Sequence, residues 1–333
     1  MSLIAAAHTP TSWFKQLKGW LSRYLFWLLV PVLLAILAAI EPRIVSGRNL
    51  LNLITQASYM TIFASAQMLV ILIRGFDLSL GSTVSLVSVL SALAMTAGQA
   101  GAGLAPALLV AAGIGAGLFA GLLVGIFNGF CTAQLRVNPF IVTLGSLSVA
   151  FGIASMVSGG HPVFDLPDAF STVLYSGTWL GLSTPVWIAI VLCLILHLLL
   201  VRTTFGRSLY LIGSNPQAAG VAGIPVARYV FLTYMLASIV VAVGALMLTG
   251  RTGSGEPNLG GSLLLPSIAA AVVGGMSLQG GTGGVGNAIM GAMFISILSN
   301  GMNLIEINGY LQDIILGTVI LSALYLDRFR TFR

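Results

Sequence analysis

Ten apolar windows fill this chain, and its ionisable residues sit almost entirely in the gaps between them. The windows cover roughly 24–40, 50–73, 80–98, 104–130, 138–158, 185–201, 229–249, 263–277, 284–305 and 310–326. About 20 apolar residues make a helix long enough to cross hydrocarbon. In that medium a helix satisfies every backbone N–H and C=O internally. The expected fold is therefore an all-α polytopic membrane protein with about ten transmembrane helices. Only 7% of the 333 residues are charged, where a soluble domain carries about 25%, and the mean hydropathy is +1.03.

The charges orient the spans. With the N-terminus inside, cytosolic stretches hold Lys15, Lys18, Arg23, Arg74, Arg136, Arg202, Arg207, Arg228, Arg328, Arg330 and Arg333, and the outside receives only Arg43, Arg48 and Arg251. That bias is the positive-inside pattern, and it puts both termini in the cytosol. Lys15, Lys18 and Arg23 ahead of an apolar run ending near Ala38-Ala39 also resemble an export signal. Removing that run would invert every later loop against the rule, so it is read as the first span. The organisation is a cytosolic segment 1–23, one membrane domain 24–326 and a cytosolic tail 327–333.

Net charge is +6, but the basic residues are scattered and form no nucleic-acid footprint. Cys131 and Cys193 lie in apolar runs and read as small core hydrophobes. Gly117, Gly121 and Gly125 recur every four residues on one helix face, a pattern that lets helix backbones approach closely in lipid. A short internal repeat sets Arg74…Asp77-Leu-Ser-Leu-Gly-Ser82 against Arg251…Asn258-Leu-Gly-Gly-Ser262, on opposite sides of the membrane, as inverted repeats require.

Several chemistries drop out. Lys15 and Lys18 are the only lysines, so no G-x-x-x-x-G-K-[ST] phosphate loop exists. The glycine-rich run 274–286 lacks a basic residue and reads as a turn between spans. His8, His161 and His197 show no metal spacing, and Gly253-Ser254-Gly255 has no histidine partner for a serine nucleophile. No catalytic residue and no metal ligand is assigned. Ion-coupled carriers place ionisable groups mid-span. Here Glu41, Asp77, Asp165, Asp168, Glu256, Glu306 and Asp327 fall in loops or at span ends, and Asp313 lies one turn into the last span.

Uncharged polar residues are richer: Gln56, Gln67, Asn128, Asn138, Thr143, Ser146, Ser148, Asn287, Asn300 and Asn303. Each suits an interhelical hydrogen bond; as a set they also suit a path for a neutral, hydroxyl-rich solute. Asp77, Ser79, Asn138, Pro139, Thr143, Asn300 and Asn303 are the pathway or gate candidates. Arg74 and Asp77 are placed as a local ion pair at a turn, and Asn138-Pro139 as a helix start. The longest polar excursion is 202–228. There Leu209–Ile212 is apolar enough to pack back on the bundle, and Asn215-Pro216 starts a short helical stretch stopped by Gly223 and Pro225. Such a knob suits a groove on another subunit.

These segments resemble the permease subunits of ribose-type ABC importers, the monosaccharide branch of the binding-protein-dependent transporters. The motifs are Gly75-Phe-Asp-Leu-Ser-Leu-Gly-Ser82, Asn138-Pro-Phe-Ile-Val-Thr-Leu-Gly145, Thr204-Phe-Gly-Arg207 with Asn215, Ala218-Ala219 and Gly223-Ile224, then Ile268–Gly275 with Gly280-Gly281, and Asn300-Gly-Met-Asn-Leu304. The resemblance spans about residues 45–326. It implies a type II-like importer permease fold in the bacterial inner membrane. Its ATPase-coupling segment would include Thr204, Phe205, Gly206, Arg207, Asn215, Pro216, Ala218, Ala219 and Gly223. It further implies a separate ABC ATPase that binds ATP and Mg, a periplasmic sugar-binding protein, and a second permease copy or paralogue. This chain would carry no cofactor of its own. One stretch departs: the family often reads G-x-E-L-D-A before residue 268, whereas Gly261-Ser-Leu-Leu-Leu-Pro-Ser267 has lost the acidic pair and gained a proline. A self-sufficient carrier or channel, and an intramembrane enzyme or scaffold, are the competing readings.

Overall fold

A computed structural model describes residues 28–102 and 105–331, so the segment 1–23 and residues 332–333 lie outside the described region. Among the described residues, seven helices are long and apolar enough to cross a membrane: α2 (Gly47–Leu72), α3 (Leu80–Ala102), α4 (Pro106–Ala133), α5 (Pro139–Ser158), α7 (Thr184–Arg202), α10 (Val226–Thr252) and α12 (Val285–Leu304). Shorter apolar helices occupy the first, eighth and tenth windows. They are α1 (Leu28–Ile40), α11 (Leu264–Val273) and the apolar part of α13 (Gly309–Thr331), which runs on past the expected span boundary into the tail. The remaining helices, α6 (Asp168–Ser171), α8 (Thr204–Ser214) and α9 (Pro216–Val221), lie in connections.

Burial runs opposite to hydropathy. In α2, the least apolar of the seven, 78% of the most apolar window is enclosed; in α5 the figure is 28%. α7 is the most apolar and is also mostly uncovered. Lipid demands an apolar surface, whereas an enclosed helix may carry Ser58, Thr61, Ser65 and Gln67 because neighbours supply hydrogen-bond partners or contact. The core is therefore centred on α2, α3 and α10, while α4, α5 and α7 each pack one face against it and leave the other uncovered.

The glycine face on α4 packs within the chain. A Cβ on Gly121 would sit 2.6 Å from Ala242 Cβ, and one on Gly125 2.8 Å from Met235 Cα, so α4 and α10 touch almost backbone to backbone. Between α5 and α7 the chain forms α6, a π-turn at Thr172–Ser176 and a hairpin of β1 (Thr178–Trp179) with β2 (Leu182–Ser183). Leu180 and Gly181 both take positive φ, as a two-residue hairpin turn matching strand twist requires.

The eighth window is not a full span. α11 has ten residues, about 15 Å of helix, too short to cross alone. The stretch 253–263 before it is irregular. It descends along α3: Gly255 lies against Ala92 and Ser88, and Gly260 lies against Gly81. The eleven helical steps of α3 from Gly81 to Ala92 correspond to about 16 Å. Break and half-helix together match the roughly 30 Å of a hydrocarbon core. The proline that departs from the resembled pattern, Pro266, falls in the first turn of α11, where a missing N–H costs nothing.

Candidate functional site

Two features organise the molecule: a junction beneath the bundle where three connections meet, and the break at 253–263. At the junction, α8 is anchored by its apolar face, with Leu209 and Ile212 buried and Leu211 exposed. Thr203 caps it, accepting from Gly206 N at 3.2 Å. Gly206 is pressed under α7, where a Cβ would fall 2.1 Å from Leu200 O. Phe205 is half-buried with its ring 5.7 Å from that of Tyr229, while Thr204 and Arg207 face outward. Asn215 then caps α9 by accepting from Ala218 N at 3.0 Å, Pro216 takes the first helical position, and Gly223 leaves at φ +83. Ala219 is buried; Ala218 is exposed, and Val221 is 92% exposed.

Arg74 ties α8 in place. Its Nε donates to Gly213 O at 2.5 Å, and its guanidinium also reaches Ser214 O. A cation on the last carbonyls of a helix is favoured by the helix dipole. The expected Arg74–Asp77 ion pair does not form. The Asp77 Oδ1 atom is taken by Ser79, from N at 2.9 Å and from Oγ at 2.6 Å, and Arg74 points the other way. The third connection, 274–284, closes the junction. Gly281 N donates to Leu72 O at 2.9 Å, and Tyr210 Oη donates to Gly283 O at 2.8 Å. Gly213 permits this meeting, because a Cβ there would lie 1.9 Å from Leu72 O.

The pathway candidates separate into three places. Asp77 and Ser79 are buried in the α2–α3 connection with Gln67 and Asn128. Gln67 Nε2 donates to Asp77 O at 2.8 Å, and Asn128 Nδ2 to Ser79 Oγ at 2.9 Å. Burial pushes the Asp77 carboxyl up, and the bonds from Ser79 offset only part of that rise. Pro139 lines a cavity of about 310 Å³ at the same end, together with Arg74, Arg136 and Tyr234. Asn138 caps α5 at Phe140 N, 2.9 Å away, and Thr143 is buried with its hydroxyl on Pro139 O. Asn300 and Asn303 lie at the opposite end, paired with Asn49 and Gln312.

At the break, α3 feeds the irregular backbone from its side chains. Ser88 Oγ accepts from Glu256 N at 3.1 Å, and Ser85 Oγ accepts from Gly260 N at 3.2 Å. Val163 and Gly255 exchange two backbone bonds at 2.8 Å. Serines three apart on one helix face thus replace the partners that a continuous helix would supply. The two halves of the short repeat meet here, Gly81 on Gly260. The roles of Arg74, Gly213, Tyr210 and the α3 serines were not read from the sequence; the only signal for the break was the repeat itself.

Residues 49–324 match the family described as "Branched-chain amino acid transport system / permease component". The chain belongs to that family. Among its relatives, the ribose import permease of Bacillus subtilis is 36% identical over 298 residues, covering 89% of this chain and 90% of the relative. The galactose/methyl galactoside import permease of Salmonella typhimurium is 33% identical over 334 residues, covering 96% and 98%. The L-arabinose transport system permease of Escherichia coli is 35% identical over 255 residues, covering 77% and 75%. No solved structure matches the chain significantly. Membership makes it a transport component, a multi-pass membrane permease.

Proposed function

We propose that this chain is the permease subunit of an ATP-binding-cassette importer that carries a monosaccharide or similar neutral solute across the bacterial inner membrane by alternating access. The observation that carries this reading is the α8–α9 segment: a rigidly clamped pair of short helices outside the bundle, offering Ala218 and Val221 to a partner. An apolar side chain left that open on a capped helix is suited to a groove in another protein. The partner is a separate ATPase that binds ATP and Mg; a periplasmic binding protein delivers solute, and a second permease copy or paralogue completes the path. The reading takes α1, α11 with the break, and α13 as further crossings, for ten spans with both termini and the junction cytosolic, which the positive-inside pattern supports.

The named solutes of the relatives support a sugar. So does the lining beside the break, which holds hydroxyls and an amide but no charged side chain. An amino-acid zwitterion would need counter-charges there. The test is reconstitution in liposomes with the partner ATPase and binding protein. ATP-dependent uptake is expected, lost in Arg207→Glu while insertion persists. Uptake that runs equally well without the ATPase would establish a self-sufficient carrier instead.

A further inference from the structure

The cavity beside the break goes beyond the junction and concerns the solute itself. It has a volume of about 140 Å³ and is bounded on one side by Ser82, Ser85 and Asn258 and on the other by Leu147 and Phe151 of α5. That is well below the roughly 300 Å³ of the smaller drug-binding clefts, a space for one sugar ring rather than two. We propose that this cavity is a transient binding site for a single neutral monosaccharide midway through the membrane, with Asn258 as its specificity-determining contact. The proposal rests on the importer reading above.

Three independent observations lead to it. First, Asn258 is exposed although it sits on irregular backbone between the levels of Ser88 and Gly81, and Gly261 and Ser262, just past the Gly81 contact, are exposed as well. Lipid cannot satisfy irregular backbone or an amide at that depth; such segments face either water or protein. Second, among the described residues the Asn258 side chain makes no hydrogen bond, so its amide can both donate and accept. Third, the facing helix, α5, is the least enclosed of the seven spans, and its Phe151 is 45% exposed. An aromatic wall accommodates the C–H face of a sugar ring, while amide and hydroxyl groups opposite it exchange hydrogen bonds with the ring hydroxyls. Because these contacts are few and uncharged, the solute would be held loosely, as passage requires.

The experiment uses the full transporter in liposomes, with partner ATPase and binding protein. The sugar is whichever of D-ribose, D-galactose and L-arabinose the wild type takes up. Asn258→Cys, in a Cys131→Ser, Cys193→Ser background, is treated with a charged, membrane-impermeant thiol reagent. Modification is expected, and the sugar should slow it several-fold. In parallel, Asn258→Leu is expected to lower the uptake rate about fivefold, as for the loss of one hydrogen bond, while ATP hydrolysis stimulated by the loaded binding protein continues. A cysteine inert to the reagent, as for a residue sealed against lipid or a second copy, overturns the proposal. So does a reactive cysteine that the sugar fails to protect, or unchanged uptake in Asn258→Leu. Wild-type uptake of the sugar that is equally fast without ATP and the ATPase defeats the importer reading instead.

Discussion

Gly213→Ala tests the junction at its tightest point. The new Cβ would lie 1.9 Å from Leu72 O and 2.4 Å from Gly281 N, both backbone atoms that no side-chain rotation can move. Contacts under 3.0 Å essentially do not occur, so α8 must retreat from the end of α2 by about 1.1 Å. Overpacking of this kind costs about 1–3 kcal/mol. The same retreat lengthens the Arg74 bonds to Gly213 and Ser214, which hold the C-terminal end of α8 to the bundle. A cost of about 1–3 kcal/mol against the docked state lowers the docking equilibrium constant by roughly five- to 150-fold. Uptake in liposomes should fall by up to that factor. Thermal unfolding of the bundle in detergent should shift little, because α8 contributes only Leu209, Ile212 and their neighbours to the core. Gly286→Ala, at the same end but with nothing within 4 Å of its Cβ, is the control and should transport normally. If Gly213→Ala imports at the wild-type rate, a firmly docked α8 is not needed for coupling, and the central argument about the junction fails.

Asp77→Asn should be neutral or stabilising. Burial lifts the Asp77 carboxyl above its ordinary 3.8, so the folded chain keeps a proton that the unfolded chain releases; stability then falls as pH rises above that value. Asparagine can accept the same two bonds from Ser79, and thermal unfolding against pH should lose that slope; an unaltered slope would contradict the assignment. Asn300→Leu removes the two bonds of 2.8 and 3.2 Å that its amide exchanges with Asn49, leaving the Asn49 side chain its bond to Ile44 O, and should cost about 0.6–1.7 kcal/mol. The double variant Asn49→Leu, Asn300→Leu should recover part of that loss, so a double-mutant cycle showing simple additivity would count against the pair.

What the sequence revealed, and what it did not, follows from the range of the interactions involved. The apolar windows, the glycine face of α4, the Asn138-Pro139 start of α5 and the Asn215–Gly223 limits of α9 depend on neighbours within one or two turns, and all were legible. The break was not. Leu263, Leu264 and Leu265 make its end as apolar as a span, and its backbone partners, Ser85 and Ser88, lie some 170 residues earlier. Arg74 misled for the same reason. Asp77 was the nearest opposite charge in sequence, whereas its actual partners are carbonyls 139 and 140 residues away.

The junction and the break are joined by a very short piece of chain. Arg74 holds α8, and seven residues later Gly81 touches Gly260, with Gly75, Phe76, Asp77 and Ser79 fixed in between. None of that connection is slack. Tyr234 Oη donates to Phe76 O at 3.2 Å, Gln67 holds Asp77 O, and Asn128 holds Ser79. A Cβ on Gly75 would meet Tyr234 Oη at 2.7 Å, and one on Gly260 would meet Gly81 O at 1.9 Å. A displacement of α8 therefore has three outlets: it breaks these bonds, it is taken up in the cavity that Arg74 and Gly75 line, or it is transmitted to Gly81. On the importer reading, that places the second repeat, and with it the solute cavity, at the far end of a short rigid strut driven by the ATPase. On the same reading, the 74–82 copy of the repeat would receive the motion, and the 251–262 copy, where the helix is already broken, would answer it.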